Sequence, residues 1–407
     1  MKRVFVGFGF GPIQSGLFAK VAADSGRFDE IVVAEVDGAL VDALRRNADS
    51  YVVNVAHADR VEATTVQGVT LLNLGVEDDV FCLRAALASA TEIVTSLPSV
   101  AFYARGGETN VAALIAEGLR TKPEGQTIVY TAENNNHAAE ALSEAVTAAA
   151  GKGTVLRHCQ YLNTVIGKMS QVVTDPSELV PIVPGIQRAF LVEAFNRILV
   201  SKITLPGFEP GITVFEEKAD LLPFEEAKLY GHNAIHAALG FLGRSVGVAS
   251  LADLRHNEKV MAIARLAFIH EIGAALVKKY AHLNDPLFTS GGFAAYADDL
   301  LVRMTNPFLT DTVERAVRDP LRKLGANDRV FGAIRQCLAQ GVEPNALASV
   351  ASVALKVLPP LPECTHVNRT DDLTETLLNL WQETVPSPDE TARLVSLLEK
   401  AVDYIVL

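Results

Sequence analysis

Residues 4–16 read VFVGFGFGPIQSG. A β-branched and aromatic run leads straight into glycines, as a strand does when it ends in a tight turn. Residues 13–25 then read as a helix. In such a strand–turn–helix unit Gly7 permits the tight turn, and Gly9 lets the backbone approach a pyrophosphate. The helix N-terminus that follows favours negative charge. Gly7, Phe8, Gly9, Phe10 and Gly11 therefore form a candidate dinucleotide-binding turn. Ile31 to Ala34 reads as a second strand, closed by Glu35-Val36-Asp37. A carboxylate at Glu35 can accept hydrogen bonds from an adenosine ribose, and its charge would repel the extra phosphate of NADP, which favours NAD. The third glycine of G-x-G-x-x-G would fall at Pro12, and the chain offers Gly11 and Gly16 instead, so an irregular turn is expected. An ordinary glycine-rich strand-to-helix turn is the competing reading.

Outward from this start, strands are expected at 69–72, 93–95, 127–130 and 154–156, with helices such as 80–90 and 137–150 between them. Alternating strands and helices indicate a parallel sheet wrapped on both faces. Residues 189–203 read as one strand, and the Pro- and Gly-rich LPGFEPGITVF after it reads as a connection. From about 223 helical signals dominate, at 224–245, 256–280, 292–303, 310–318, 328–339, 344–356, 371–382 and 388–404. Two domains are expected, 1–205 and 206–407.

Composition narrows the function. The 407 residues carry a net charge of −12. An acidic chain gains no counterion-release attraction to nucleic acid or to an anionic membrane, so neither is an expected partner. No apolar run near the ~18 residues of a membrane span is apparent. The basic start and apolar run resemble a signal peptide in outline, but the alternating glycines and Pro12 argue against one. Cys82, Cys159, Cys337 and Cys364 are far apart and form no CxxC pair. Neither a disulfide framework nor a metal site is expected, the nearest metal pair being Cys364-Thr-His366. A reduced cytoplasmic protein is the expectation.

The second signal is PFEEAKLYGHNAIHAALGFLG, residues 223–243. At about 100° per residue, Lys228, His232, Glu225, His236 and Asn233 share one arc of a helix. Such a polar stripe among Ala, Leu, Ile and Gly is costly to bury unless it faces a site. Lys228 could serve as a general base if burial lowered its pKa. Asn233 could donate to a developing alkoxide and His236 could orient a hydroxyl. A solvated helix face with two incidental histidines is the alternative.

At these residues the chain resembles the polyol-specific long-chain dehydrogenases, the mannitol dehydrogenase family. KLYGHNAIHA is similar to that family's Lys-x4-Asn-x2-His signature, and NPFLTDTVERAVRDPLRKLGANDR at 306–329 resembles its mannitol-1-phosphate 5-dehydrogenase branch. The resemblance implies an α/β fold: an N-terminal Rossmann-type doubly wound parallel sheet followed by a mainly α-helical C-terminal domain. It implies metal-independent hydride transfer between a polyol and NAD, in a monomer or homodimer. Lys228 would match the catalytic lysine, Asn233 and Asn134 (in TAENNN) the oxyanion-hole asparagines, and His236 a substrate-binding histidine. Glu225 matches an acidic position linked to proton release, Arg315 and Lys323 match substrate contacts, and Arg318 falls where phosphate-using members carry arginine. Gly167 and Lys168 stand where the family has Asp and Arg, a departure near a substrate contact. A phosphorylated hexitol such as mannitol 1-phosphate is the first expectation. An unphosphorylated polyol or hexonate, or a non-catalytic NAD-binding redox sensor, are the others.

Overall fold

The computed structural model describes residues 2–122, 125–151, 156, 158–357, 373–381 and 384–401. The expected strand at 154–156, apart from Leu156, and the pair Cys364 and His366 lie outside them. The chain divides into two compact units, Met1–Leu222 and Pro223–Leu407.

The first unit is built on an eight-stranded sheet. Its strands are β1 (Val4–Phe8), β2 (Glu30–Glu35), β5 (Thr70–Asn73), β6 (Ala90–Thr95), β7 (Thr127–Thr131), β8 (Cys159–Ile166), β11 (Ile198–Ser201) and β12 (Phe215–Lys218). Their order is β12-β11-β8-β7-β6-β1-β2-β5. The six strands from β5 to β8 are parallel, in the dinucleotide-fold order whose direction reverses beside the first strand. Side chains of β1 alternate between the two faces: Val4, Val6 and Phe8 join one core with the helices Glu77–Ser89 and Val111–Thr121, and Phe5 joins the other. This is the expected doubly wound sheet.

The second face carries an unexpected layer. A small sheet of order β4-β3-β10-β9 is made by β3 (Ser50–Ala56), β4 (Val61–Gln67), β9 (Ser170–Val173) and β10 (Ala189–Glu193). It shares a core with the helix after β1: Phe10 packs edge-on against Tyr51 with ring centroids 4.9 Å apart. The stretch 189–203 is thus two strands in two sheets, β10 and β11, rather than one. Lys168 holds the crossing: its buried ammonium donates to the carbonyls of Glu193 and Phe195 and to Asn196 Oδ1. The residue that departs from the family pattern is a staple between loops. Likewise β12, which starts at the last residue of the expected connection, pairs with β11 and so keeps its residues in the first unit, whose end falls after 205.

The second unit is helical. Its first helical run passes through Leu222–Glu226, a π segment at Ala227–Asn233 and Ala234–Ser245. The expected helix at 310–318 is confined to Val313–Val317, because Arg318 leaves the helical conformation and Asp319 has φ +55° before Pro320. That break separates Arg315, in the helix, from Arg322 beyond Pro320. Contrary to the sequence reading, the helical run Glu258–Leu283 is long and apolar enough to cross a membrane by length and composition. Half of its most apolar window is buried, and its Glu271 accepts from the Ala346 and Leu347 N–H groups, capping the helix Asn345–Val357.

Pro12 begins the helix after β1, where its missing N–H costs nothing. A π segment, Gln14–Ala19, follows in the same helical run. Gly16 lies within it, and a Cβ there would sit 2.6 Å from Val192 Cγ1 and 3.2 Å from Val53 Cγ1. Gly16→Val is therefore expected to overpack this contact, costing about 1–3 kcal/mol and lowering the thermal melting temperature. An unchanged melting temperature would show that helix and small sheet can separate freely.

Candidate active site

In the first unit the turn itself is Gly9–Gly11, since Gly7 and Phe8 still belong to β1. Gly9 has φ +81°, and a Cβ on it would lie 2.7 Å from the Ser96 carbonyl oxygen. Only glycine fits there. Gly11 faces open space, with no atom within 4 Å of a would-be Cβ. Gly7 has a packing reason: its missing Cβ makes room for the buried Gln14 amide. That amide has no hydrogen-bond partner among the described residues. Phe8 and Phe10 are core side chains, so only their backbones border the turn.

Glu35 is tied into the turn. Its Oε2 accepts from the Phe10 N–H at 2.7 Å, and its Oε1 from the Val36 and Asp37 N–H groups at 2.7 and 3.0 Å. Of the roughly four acceptor positions of a carboxylate about one is left for a ribose hydroxyl. Asp37 caps the helix Gly38–Arg46 through the Leu40 N–H and pairs with Arg188.

Asn134 is exposed beyond the carboxyl end of β7. Its neighbour Glu133 is buried and accepts from Thr95 Oγ1 at 2.9 Å, the Leu97 N–H at 2.8 Å and the Tyr103 hydroxyl. Burial pushes the Glu133 carboxyl up, against the pull of those donors. The acidic residue of TAENNN thus anchors the loop after β7 to the loop after β6. The latter meets Gly9 through Ser96, so loops after β1, β6 and β7 are joined at the point where the strand order reverses, the usual ligand crevice of such sheets.

In the second unit the π segment carries Lys228 and Asn233. Its i→i+5 hydrogen bonding, seen from Ala234 N–H to Leu229, places residue i+5 one turn beyond residue i. The pair at the edges of the expected arc therefore lies on one side of the helix. Gly231 allows the close approach, since a Cβ there would meet Phe268 at 2.9 Å. Lys228 is half-buried, and its ammonium is pushed down to about 8, chiefly by desolvation and then by the Arg329 charge, with Glu225 opposing. His232 is buried, and burial with the charges of His236, Arg303, Lys228 and Arg329 holds it well below the usual imidazole range. It is a neutral core histidine.

His236 and Arg315 are brought together by a residue that sequence reasoning passed over. Asp311 Oδ2 lies 2.7 Å from His236 Nε2, and its Oδ1 accepts from Arg315 Nη1 at 2.9 Å. Nothing in local spacing links positions 75 residues apart. Arg329 was also missed, although it ends the quoted 306–329 stretch. It is buried, paired with Asp328 at 2.7 Å, and acts on Lys228 through its charge.

Two expected substrate contacts differ in exposure. Lys323 is buried and donates to the Ala316 carbonyl at 2.8 Å, and burial with the charges of Arg329, Arg322 and Arg318 brings it down to about 8. Arg318 is exposed at the end of the helix Val313–Val317. Among the described residues no group of three or more His, Cys, Asp or Glu side chains is placed to hold a metal ion.

The chain is similar in fold to a D-sorbitol dehydrogenase in substrate-free form, with a TM-score of 0.77, 13% identity, and 99% of this chain and 94% of that one covered. It is also similar to mannitol 2-dehydrogenase of Pseudomonas fluorescens, solved with NAD and D-mannitol. That match has a TM-score of 0.68 and 15% identity, covering 99% of this chain and 92% of the other. At such identities the likeness is one of fold. The helical unit is also matched in sequence: residues 220–383 match the model of the mannitol dehydrogenase C-terminal domain family.

Proposed function

We propose that this chain is an NAD-dependent polyol dehydrogenase in which Lys228 is the general base. The observation that carries this reading is the desolvated lysine, at about 8, on one helical run with Asn233 and His236 inside the matched family domain. Similarity in fold to proteins named sorbitol and mannitol 2-dehydrogenases supports it. The first unit fits a dinucleotide: Gly9 has the positive φ of the tight turn, Gly11 leaves open space, and the first turn of a helix follows. When bound, NAD supplies the nicotinamide ring that accepts the hydride.

In the oxidative direction Lys228, as the neutral amine, removes the hydroxyl proton from the carbon being oxidised. Asn233 donates to the oxygen as it gains alkoxide character. His236 holds a neighbouring hydroxyl. Glu225, buried near Lys228, favours the ammonium and so sets how readily the proton is taken. The chemistry needs no metal.

We favour a phosphorylated hexitol, mannitol 1-phosphate or a relative, on the positive charge collected around residues 315–329. Arg318 is exposed, Arg322 lies 3.8–3.9 Å from Asp319 and Asp328, and both arginines depress Lys323. Guanidinium groups bind phosphate through paired charged hydrogen bonds.

NADH formation should be followed with a panel of polyols and their phosphates, with a chelator present throughout. A hexitol phosphate is expected to be the best substrate. Lys228→Ala should lower turnover by about 10²–10⁴ while NAD binding persists. Normal turnover by that variant would reduce the polar stripe to a solvated face, and a requirement for zinc would replace the mechanism.

Cofactor choice follows from Glu35. Its carboxylate, fixed at the turn by three N–H groups, should favour NAD over NADP by ~1–3 kcal/mol, or about ten- to a hundredfold in catalytic efficiency. Equal use of the two cofactors would mean that the ribose lies elsewhere.

A further inference from the structure

Asp311 is placed with unusual care. Its carbonyl accepts from the Leu251 N–H at 3.0 Å, and Thr310 before it has φ +49°, a conformation costly for a β-branched residue. Its side chain is 5% exposed, yet both oxygens are bonded, Oδ2 to His236 and Oδ1 to Arg315. Burial alone would push its carboxyl up. The hydrogen bonds and charges of His236 and Arg315 outweigh that and hold it below the usual carboxylate range.

An ionised carboxylate only accepts hydrogen bonds. The imidazole nitrogen that faces it must carry the hydrogen, and that nitrogen is Nε2. In the neutral ring the lone pair is then on Nδ1. Among the described residues the bond to Asp311 is the one hydrogen bond of the His236 side chain, which is 20% exposed.

We propose that Asp311 is a positioning residue that fixes His236 as the Nε2–H tautomer, so that Nδ1 accepts a hydrogen bond from a hydroxyl of the polyol. This rests on the polyol reading above.

Arg315 determines what happens when the carboxylate is replaced. A guanidinium only donates. In Asp311→Asn the amide oxygen must therefore face Arg315, and the amide NH₂ faces His236 Nε2. Nε2 becomes the acceptor, and the ring hydrogen moves to Nδ1. The shape is kept, but His236 then offers a donor where the substrate hydroxyl needs an acceptor. An Asp-to-Asn change in the Ser-His-Asp triad acts by the same wrong-tautomer logic.

The test is an imidazole ¹⁵N correlation spectrum of the full chain, recorded well above the ordinary imidazole range. His236→Gln assigns the resonances among the nine histidines. The wild type should show Nε2–H with an unprotonated Nδ1, and Asp311→Asn the reverse. The wild-type spectrum decides the tautomer even if the variant does not fold. In kinetics Asp311→Asn should raise KM for the polyol about tenfold, with kcat changed less and NAD binding unchanged. An Nδ1–H wild type overturns the proposal, as does a folded variant with wild-type tautomer and KM. A chain that oxidises no polyol, yet shows Nε2–H, overturns the polyol reading and keeps the tautomer.

Discussion

Keeping the Lys228 ammonium partly out of water beside another positive charge is the cost on which the proposed chemistry depends. Desolvation and Arg329 both favour the neutral amine, and Glu225 tempers them. A lysine on a wet helix face would stay protonated and could not accept a proton near neutral pH. The surroundings that prevent this are packing features. Gly231 brings the π segment against Phe268, and Gly332 brings the helix that begins with Arg329 against Tyr230, where a Cβ would sit 2.7 Å away. The lowered pKa is a consequence of how closely three helices approach.

The first unit meets a different constraint. Its turn must bend sharply and leave the backbone exposed, and it does so by borrowing partners from neighbouring loops. Glu35 accepts three backbone N–H groups, and Glu133 joins the loops after β6 and β7. These acids spend most of their hydrogen-bonding capacity on holding the crevice in shape. Lys168 does the same for the crossing from β10 to β11. Glu35 combines this supporting role with the acceptor position it keeps for a ribose hydroxyl.

What the sequence made legible was what local periodicity and glycine placement encode. β1, β2, β5, β6 and β7 were readable, as were most of the later helices and the Lys228, Asn233 and His236 stripe. The small sheet was not, because β3 pairs in parallel with β10, far along the chain, and no local pattern announces that register. The π segments were also hidden, since no residue type marks the point at which one residue is inserted into a helical run. Asp311 and Arg329 stood inside a stretch already singled out, but their roles arise from contacts across the fold. Lys323 looked free in the sequence and is held to the Ala316 carbonyl.

The measurement that bears most directly on the account is the pH dependence of kcat/KM for polyol oxidation by the intact chain. As the proposed base, Lys228 must be neutral to act, and its pKa of about 8 lies below the ordinary lysine value. The rate should therefore fall about tenfold per pH unit below that point and level off above it. A flat profile through this range, or a rise that continues to the ordinary lysine value of about 10.4, would contradict a desolvated lysine as the base.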